Sequence, residues 1–140
     1  MSVGPKLYKD FKSTGKQNVS VYSWVSQAQA LDMADICFTH GGLATVKEAI
    51  FYGVPIVIVP QGKDQMDNAL RVKRNKVGVI SQADKLSAES LKLALTRVTT
   101  SPWILDNVTK MQTVFENEET AVPRPSVELV EGVINGTLPS

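Results

Sequence analysis

The sequence predicts an α/β fold, a Rossmann-like parallel sheet flanked by helices, and three observations predict it. Short β-branched runs alternate with segments of helical periodicity. The run Ile56 to Val59 is apolar without alternation, the pattern of a strand covered on both faces. Glycine and proline punctuate the places where a strand hands over to a helix, as in "FTHGGLATV" and "VPQGKDQ".

Residues 18–24 (NVSVYSW), 34–39 (ADICFT), 54–60 (VPIVIVP) and 77–80 (VGVI) read as strands, bounded by turn residues. A helix over 43–52 places Leu43, Val46, Ala49 and Ile50 on one face. A second, over 65–75, carries Met66, Ala69, Leu70 and Val72 or Lys73, and Asp64 is a candidate N-cap for it. A third, over 87–99, starts at Ser87 and stripes Leu91, Ala94, Leu95 and Val98. The tail reads as two helices, 102–118 and 125–135, split by "VPRP". Strands alternating with helices imply βαβ units and hence a parallel sheet. Four or five strands make a small sheet, so a strand or two is expected to be missing in front. The whole of 1–140 is expected to be one domain: a lead-in at 1–17, a core at 18–80 and closing helices at 81–140.

Composition narrows the function classes. At 43% hydrophobic and 21% charged, the chain suits a globular protein. A net charge of +1 argues against nucleic acid or an anionic membrane as partner, and the cations of "RVKRNK" read as a solvated helix face. One cysteine, Cys37, excludes an internal disulfide and sits in an apolar run that suits a buried, inert thiol. No apolar run reaches the roughly 18 residues needed for a membrane span, and the N-terminus lacks a signal-peptide core; a cytoplasmic protein is expected.

The chemistry concentrates in residues 38–70. A strand runs into His40-Gly41-Gly42 and a helix follows at once. Such a junction exposes helix N–H groups with positive character and lets an oxyanion approach the backbone, which suits phosphate. Thr45 can add a hydroxyl and His40, the one histidine, a ring N–H. For an isolated Gly-Gly the plainer reading is a tight turn beside a packed histidine. Glu48, one turn past Thr45, could accept from the two hydroxyls of a ribose or lie on a solvated face. The loop "QGKDQ" ends the next strand, so Asp64 and Gln65 face the same side as the His-Gly-Gly loop and suit sugar hydroxyls. Asn68 either joins the phosphate contact or caps and packs. Trp24, at the end of the 18–24 run, either stacks on a base or fills the core, with Gln27 three residues on.

Taken together, Trp24, Val25, Gln27, the His-Gly-Gly at 40–42, Thr45, Glu48, the Gly-Val-Pro at 53–55, Pro60 and "DQMDNA" at 64–69 resemble the donor-binding signature of the UDP-glycosyltransferase superfamily. The resemblance is close over residues 18–80 and looser beyond. It implies the C-terminal, nucleotide-sugar half of a GT-B glycosyltransferase. Carried over residue by residue, it implies that Trp24, Val25, Gln27 and Glu48 hold base and ribose. His40, Gly42, Thr45 and Asn68 hold the diphosphate, and Asp64 and Gln65 hold the transferred sugar. It implies an inverting hexosyl transfer from a UDP-sugar donor, with no cofactor and no metal. The catalytic base is expected in a missing N-terminal acceptor domain or subunit, so the isolated chain is expected to be inactive. The sequence departs from the family pattern at Ser26, where many members have proline, and at Leu43-Ala44, where plant members carry Trp-Asn. The alternatives are a non-catalytic nucleotide-sugar-binding module and a GT-B epimerase, the latter disfavoured by the Asp64-Gln65-Asn68 arrangement.

Overall fold

The computed structural model describes residues 18–120 of the 140, with side chains to 118. They fall into two units, one ending at Asp35 and the other beginning at Ile36.

The first unit contains one short helix, α1 (Gln27–Asp32), capped by Ser26, whose side chain accepts from the Gln29 N–H at 3.5 Å. The periodicity of so short a segment is uninformative, and the signal that identifies it is the Ser-x-x-Gln spacing of a capping box. The strand expected at 18–24 does not form among the described residues: a single bridge at Tyr22 is all that is present. β propensity needs a ladder and a packed face to take effect, and Val19, Tyr22 and Trp24 are all exposed.

The second unit holds a three-stranded parallel sheet in the order β1 (Cys37–Thr39), β2 (Ile56–Ile58), β3 (Gly78–Ile80). Among the described residues, the sheet has three strands where four or five were expected. Register pairs Cys37 with Ile56 and Ile56 with Gly78. The crossovers are α2 (Leu43–Phe51) and α3 (Lys63–Arg74), followed by α4 (Ala88–Thr100) and α5 (Pro102–Thr120). The expected tail helix at 125–135, like the lead-in at 1–17, lies outside the described residues.

β2 anchors the core. Successive strand side chains point to opposite faces, yet Ile56, Val57 and Ile58 are all 0% exposed, so both faces are covered. Each such side chain contributes about 1.5–3 kcal/mol. Helix α4 packs on β2 and β3, and α5 packs on α2 and α4. The buried stripes are narrower than the periodicity suggests. Val46, Ala49, Ile50, Ala69, Val72, Ala94 and Val98 are buried, whereas Leu43, Met66, Leu70 and Leu95 are exposed. Leu43 and Met66 sit in the first turns of α2 and α3. Cys37 is half-buried on β1, and burial pushes its thiol pKa up.

Glycine is dictated at position 78 by space. A Cβ there would overlap the Ile56 carbonyl oxygen and lie 2.9 Å from Val72 Cγ1. Helix α4 begins as expected at Ser87, through a reciprocal cap with Ser90.

Candidate functional site

β1 ends at Thr39, and His40-Gly41-Gly42 turns the chain into α2. Gly41 has φ +97°, in the left-handed region, and a Cβ on it would lie 2.9 Å from Ile58 Cγ2 and 3.2 Å from the Gln65 carbonyl oxygen. Conformation and space both require glycine there. Its peptide groups are held by side chains: its N–H donates to Thr39 Oγ1 at 3.2 Å, and its C=O accepts from Asn68 Nδ2 at 2.9 Å.

Gly42 is the N-cap of α2, and no side chain caps the helix. The first-turn N–H groups are therefore unclaimed, at the positive end of the helix dipole. The His40 ring lies over Gly42, where an added Cβ would meet Nε2 at 3.1 Å. His40 is exposed and makes no hydrogen bond or ion pair with the described residues, which removes the packed-histidine reading. Thr45 is half-buried in the same first turn.

A second turn of the same kind follows β2. Gly62 is the N-cap of α3, again with no side-chain cap. The helix starts at Lys63, two residues earlier than expected, so Asp64 is not the N-cap but stands inside the first turn. Gln65 folds back on the residue before the N-cap: its Oε1 accepts from the Gln61 N–H at 2.8 Å, leaving its NH2 to donate. Asp64 is exposed with no partner among the described residues, a carboxylate at the positive end of a helix.

The structure thus brings His40, Gly42, Thr45, Asp64, Gln65 and Asn68 to the carboxyl ends of β1 and β2, joined through Asn68 and Gly41. Glu48 is exposed one turn further along α2, and no hydrogen bond ties it to that group. It lines a groove of about 310 Å³ with Lys47, Phe51, Phe115 and Glu118. A larger groove of about 550 Å³ lies beyond β2 and β3, walled by Pro60, Gln61, Met66, Ser81 and Gln82, and borders only the Gln61 side of the site. Open donors rather than volume mark the candidate site, because an anion is held by N–H groups. In the first unit, Trp24 is 77% exposed, which removes its core reading; Val25 is half-buried and Gln27 opens α1.

Three residues of the site escape a reading of residue types alone. Thr39 was legible as a Thr-x-Gly turn at a strand end. Gly62 was legible as a glycine N-cap. The Gln61 backbone contact has no signal apart from Gln65 at the third helical position.

Among the described residues, no helix is long and apolar enough to cross a membrane. The family model for UDP-glucoronosyl and UDP-glucosyl transferase matches residues 9–123. The chain is 41% identical to UDP-glucuronosyltransferase 3A1 of Xenopus laevis over 80 residues, 56% of this chain and 15% of that protein. It is 31% identical to the NDP-glycosyltransferase YjiC of Bacillus licheniformis over 112 residues, 80% of this chain and 28% of that one. Its fold superposes on the calicheamicin glycosyltransferase CalG4 with a TM-score of 0.84 at 26% identity, covering 99% of this chain and 35% of the other. The chain therefore spans about a third or less of the length of these relatives. With a match over most of its length and a parallel sheet flanked by helices, the chain belongs to the UDP-glycosyltransferase superfamily and has the Rossmann-like architecture of its GT-B glycosyltransferases.

Proposed function

We propose that this chain is the nucleotide-sugar-binding half of an inverting glycosyltransferase, acting with an acceptor-binding domain or subunit. One observation carries the reading. Two helix N-termini, each capped by glycine and by no side chain, open at the carboxyl ends of adjacent parallel strands. Beside them stand a histidine and a carboxylate without partners among the described residues. Open N–H groups suit a diphosphate, and a carboxylate beside a free amide suits sugar hydroxyls. The named activities of the relatives, UDP-glucuronosyl and NDP-glycosyl transfer, support the same ligand class.

In this reading His40, the Gly42 N–H and Thr45 meet the diphosphate, and Asp64 and the Gln65 amide meet the sugar. Glu48 takes the ribose hydroxyls, and Trp24, Val25 and Gln27 keep the base-side roles implied by the family resemblance. The chemistry is displacement of a nucleoside diphosphate from the anomeric carbon by an acceptor hydroxyl. The donors here stabilise charge building on the leaving diphosphate. The base that deprotonates the acceptor is the one that the family resemblance implies in the partner half.

Calorimetric titration tests this. UDP binds the folded chain at millimolar concentration or tighter, and uridine binds more weakly. Transfer to an alcohol acceptor appears only when an N-terminal half is added. Absence of UDP binding by folded protein rejects the reading, and robust transfer by the chain alone rejects the division of labour.

A further inference from the structure

We propose that Asn68 is a positioning residue that aims the Gly42 N–H at the diphosphate by holding the other end of the same peptide unit. The inference rests on the nucleotide reading above and deepens it. The peptide joining Gly41 to Gly42 contains the Gly41 C=O and the Gly42 N–H. The Gly41 C=O accepts from Asn68 Nδ2 at 2.9 Å, across 27 residues of sequence. A trans peptide is planar, with C=O and N–H pointing in opposite directions. Anchoring the carbonyl toward α3 therefore turns the Gly42 N–H away from α3. That N–H has no acceptor among the described residues.

The anchor matters because the peptide lies between two glycines. Neither flanking residue has a Cβ to resist a crankshaft rotation, so the reversed orientation is sterically open. Reversed, the unit would present a carbonyl oxygen instead of an N–H, and a diphosphate would be repelled where it is now attracted. Thr39 Oγ1 fixes the preceding N–H, that of Gly41, at 3.2 Å, which leaves the Gly41–Gly42 peptide as the part only Asn68 restrains. An asparagine inside a helix is a poor choice on propensity alone. Half-buried in the second turn of α3, it is accounted for by this bond. Because Asp64 and Gln65 begin the same helix, the sugar end and the diphosphate end of the site share one support.

The test uses the full chain, ¹⁵N-labelled, with Asn68→Ala and the isosteric Asn68→Asp. The aspartate keeps the volume and sets a carboxylate against the Gly41 carbonyl, so it drives the rotation without leaving a hole. In the ligand-free protein, the Gly42 amide signal shifts in both variants, or broadens where the two orientations exchange. UDP affinity falls about tenfold in Asn68→Ala, the loss of one hydrogen bond's worth of organisation, and further in Asn68→Asp. Uridine affinity stays within error, and the thermal midpoint falls by a few degrees at most, as expected for the loss of one part-buried hydrogen bond. An unmoved Gly42 signal beside weakened UDP binding overturns the proposal in favour of direct contact between Asn68 and phosphate. Equal weakening of UDP and uridine overturns it in favour of a general structural role. A wild-type chain that ignores UDP, while Gly42 still shifts in the variants, rejects the nucleotide reading and upholds the anchor.

Discussion

The two ends of the sheet solve the same problem in opposite ways. At the end where helices run into strands, α2 and α3 finish in matching turns. Gly53 N–H donates to Ile50 C=O at 2.9 Å and Val54 N–H to Ala49 C=O at 2.8 Å. Lys76 and Val77 repeat the pattern onto Lys73 and Val72, both at 3.1 Å. These are Schellman exits, with Gly53 at φ +68° and Lys76 at φ +56° in the left-handed position. At the other end, α2 and α3 start behind glycine caps with no side-chain capping bond. One end satisfies its own polar groups and the other leaves donors open. Backbone groups must be paired by something: the closed end pairs them within the chain, and the open end leaves them to solvent or, in the reading proposed above, to a diphosphate.

Mutations break this contrast in a predictable order. The largest effect belongs to Gly78→Ala, where the new methyl overlaps the Ile56 carbonyl, which cannot move without opening the ladder. The loss is about 3 kcal/mol or more, at or above the usual range for overpacking, and chemical denaturation measures it.

Next come substitutions at the open end, which cost binding and leave stability unchanged. His40→Ala and Glu48→Ala each weaken UDP by about 1.5–3 kcal/mol, the range for a hydrogen bond involving a charge. For Glu48→Ala, 2′,3′-dideoxy-UDP binds as it does to wild type. An equal loss for both ligands would make the Glu48 effect structural. A fall in thermal midpoint for either variant would erase the contrast.

The two exits sharpen the comparison from the other side. Gly53→Ala destabilises by about 1–2 kcal/mol, the cost of a left-handed residue with a Cβ. The side chain it would meet, Gln112, is flexible enough to move aside. Lys76→Gly removes that same cost, less the entropy that glycine loses, and stabilises by about 0.5–1 kcal/mol. Scanning calorimetry should show a rise of a few degrees at most, and UDP affinity should not change in either variant.

The smallest effect concerns Cys37. Burial raises its pKa, so the native thiol stays neutral at pH values where a free one starts to ionise. Iodoacetamide at pH 8 therefore alkylates the native chain more slowly than the denatured chain. By linkage, the folded state holds the proton longer. This contribution is full below the unfolded thiol's pKa and is lost as pH rises through the folded value. Equal alkylation rates would show an open thiol.

Much of this was legible in the residues. The His-Gly-Gly turn, the Ser87 cap, the strand at Ile56 to Ile58 and the helix behind each strand follow from period and punctuation. The first unit was less so: residues 18–24 have strand composition but form no strand among the described residues, and α1 is too short for its periodicity to show. Asp64 is a good N-cap by type, yet α3 starts two residues earlier behind Gly62, with Gln65 folded back onto Gln61.

The sequence by itself determined the alternation of elements, the parallel sheet and the placing of His40, Asp64 and Gln65 after strand ends. Each of these is set by residues within a turn or two of one another, and local periodicity records them. Only the tertiary structure decided why position 78 is glycine and what Asn68 does. The first depends on a carbonyl of the neighbouring strand. The second depends on a peptide 27 residues away, brought within 2.9 Å by the packing of α3 against the β1 turn. Neither partner is near in sequence, so no local pattern encodes either contact. It exists only once the sheet has fixed the register of β2 and β3 and the fold has set α3 beside the first turn.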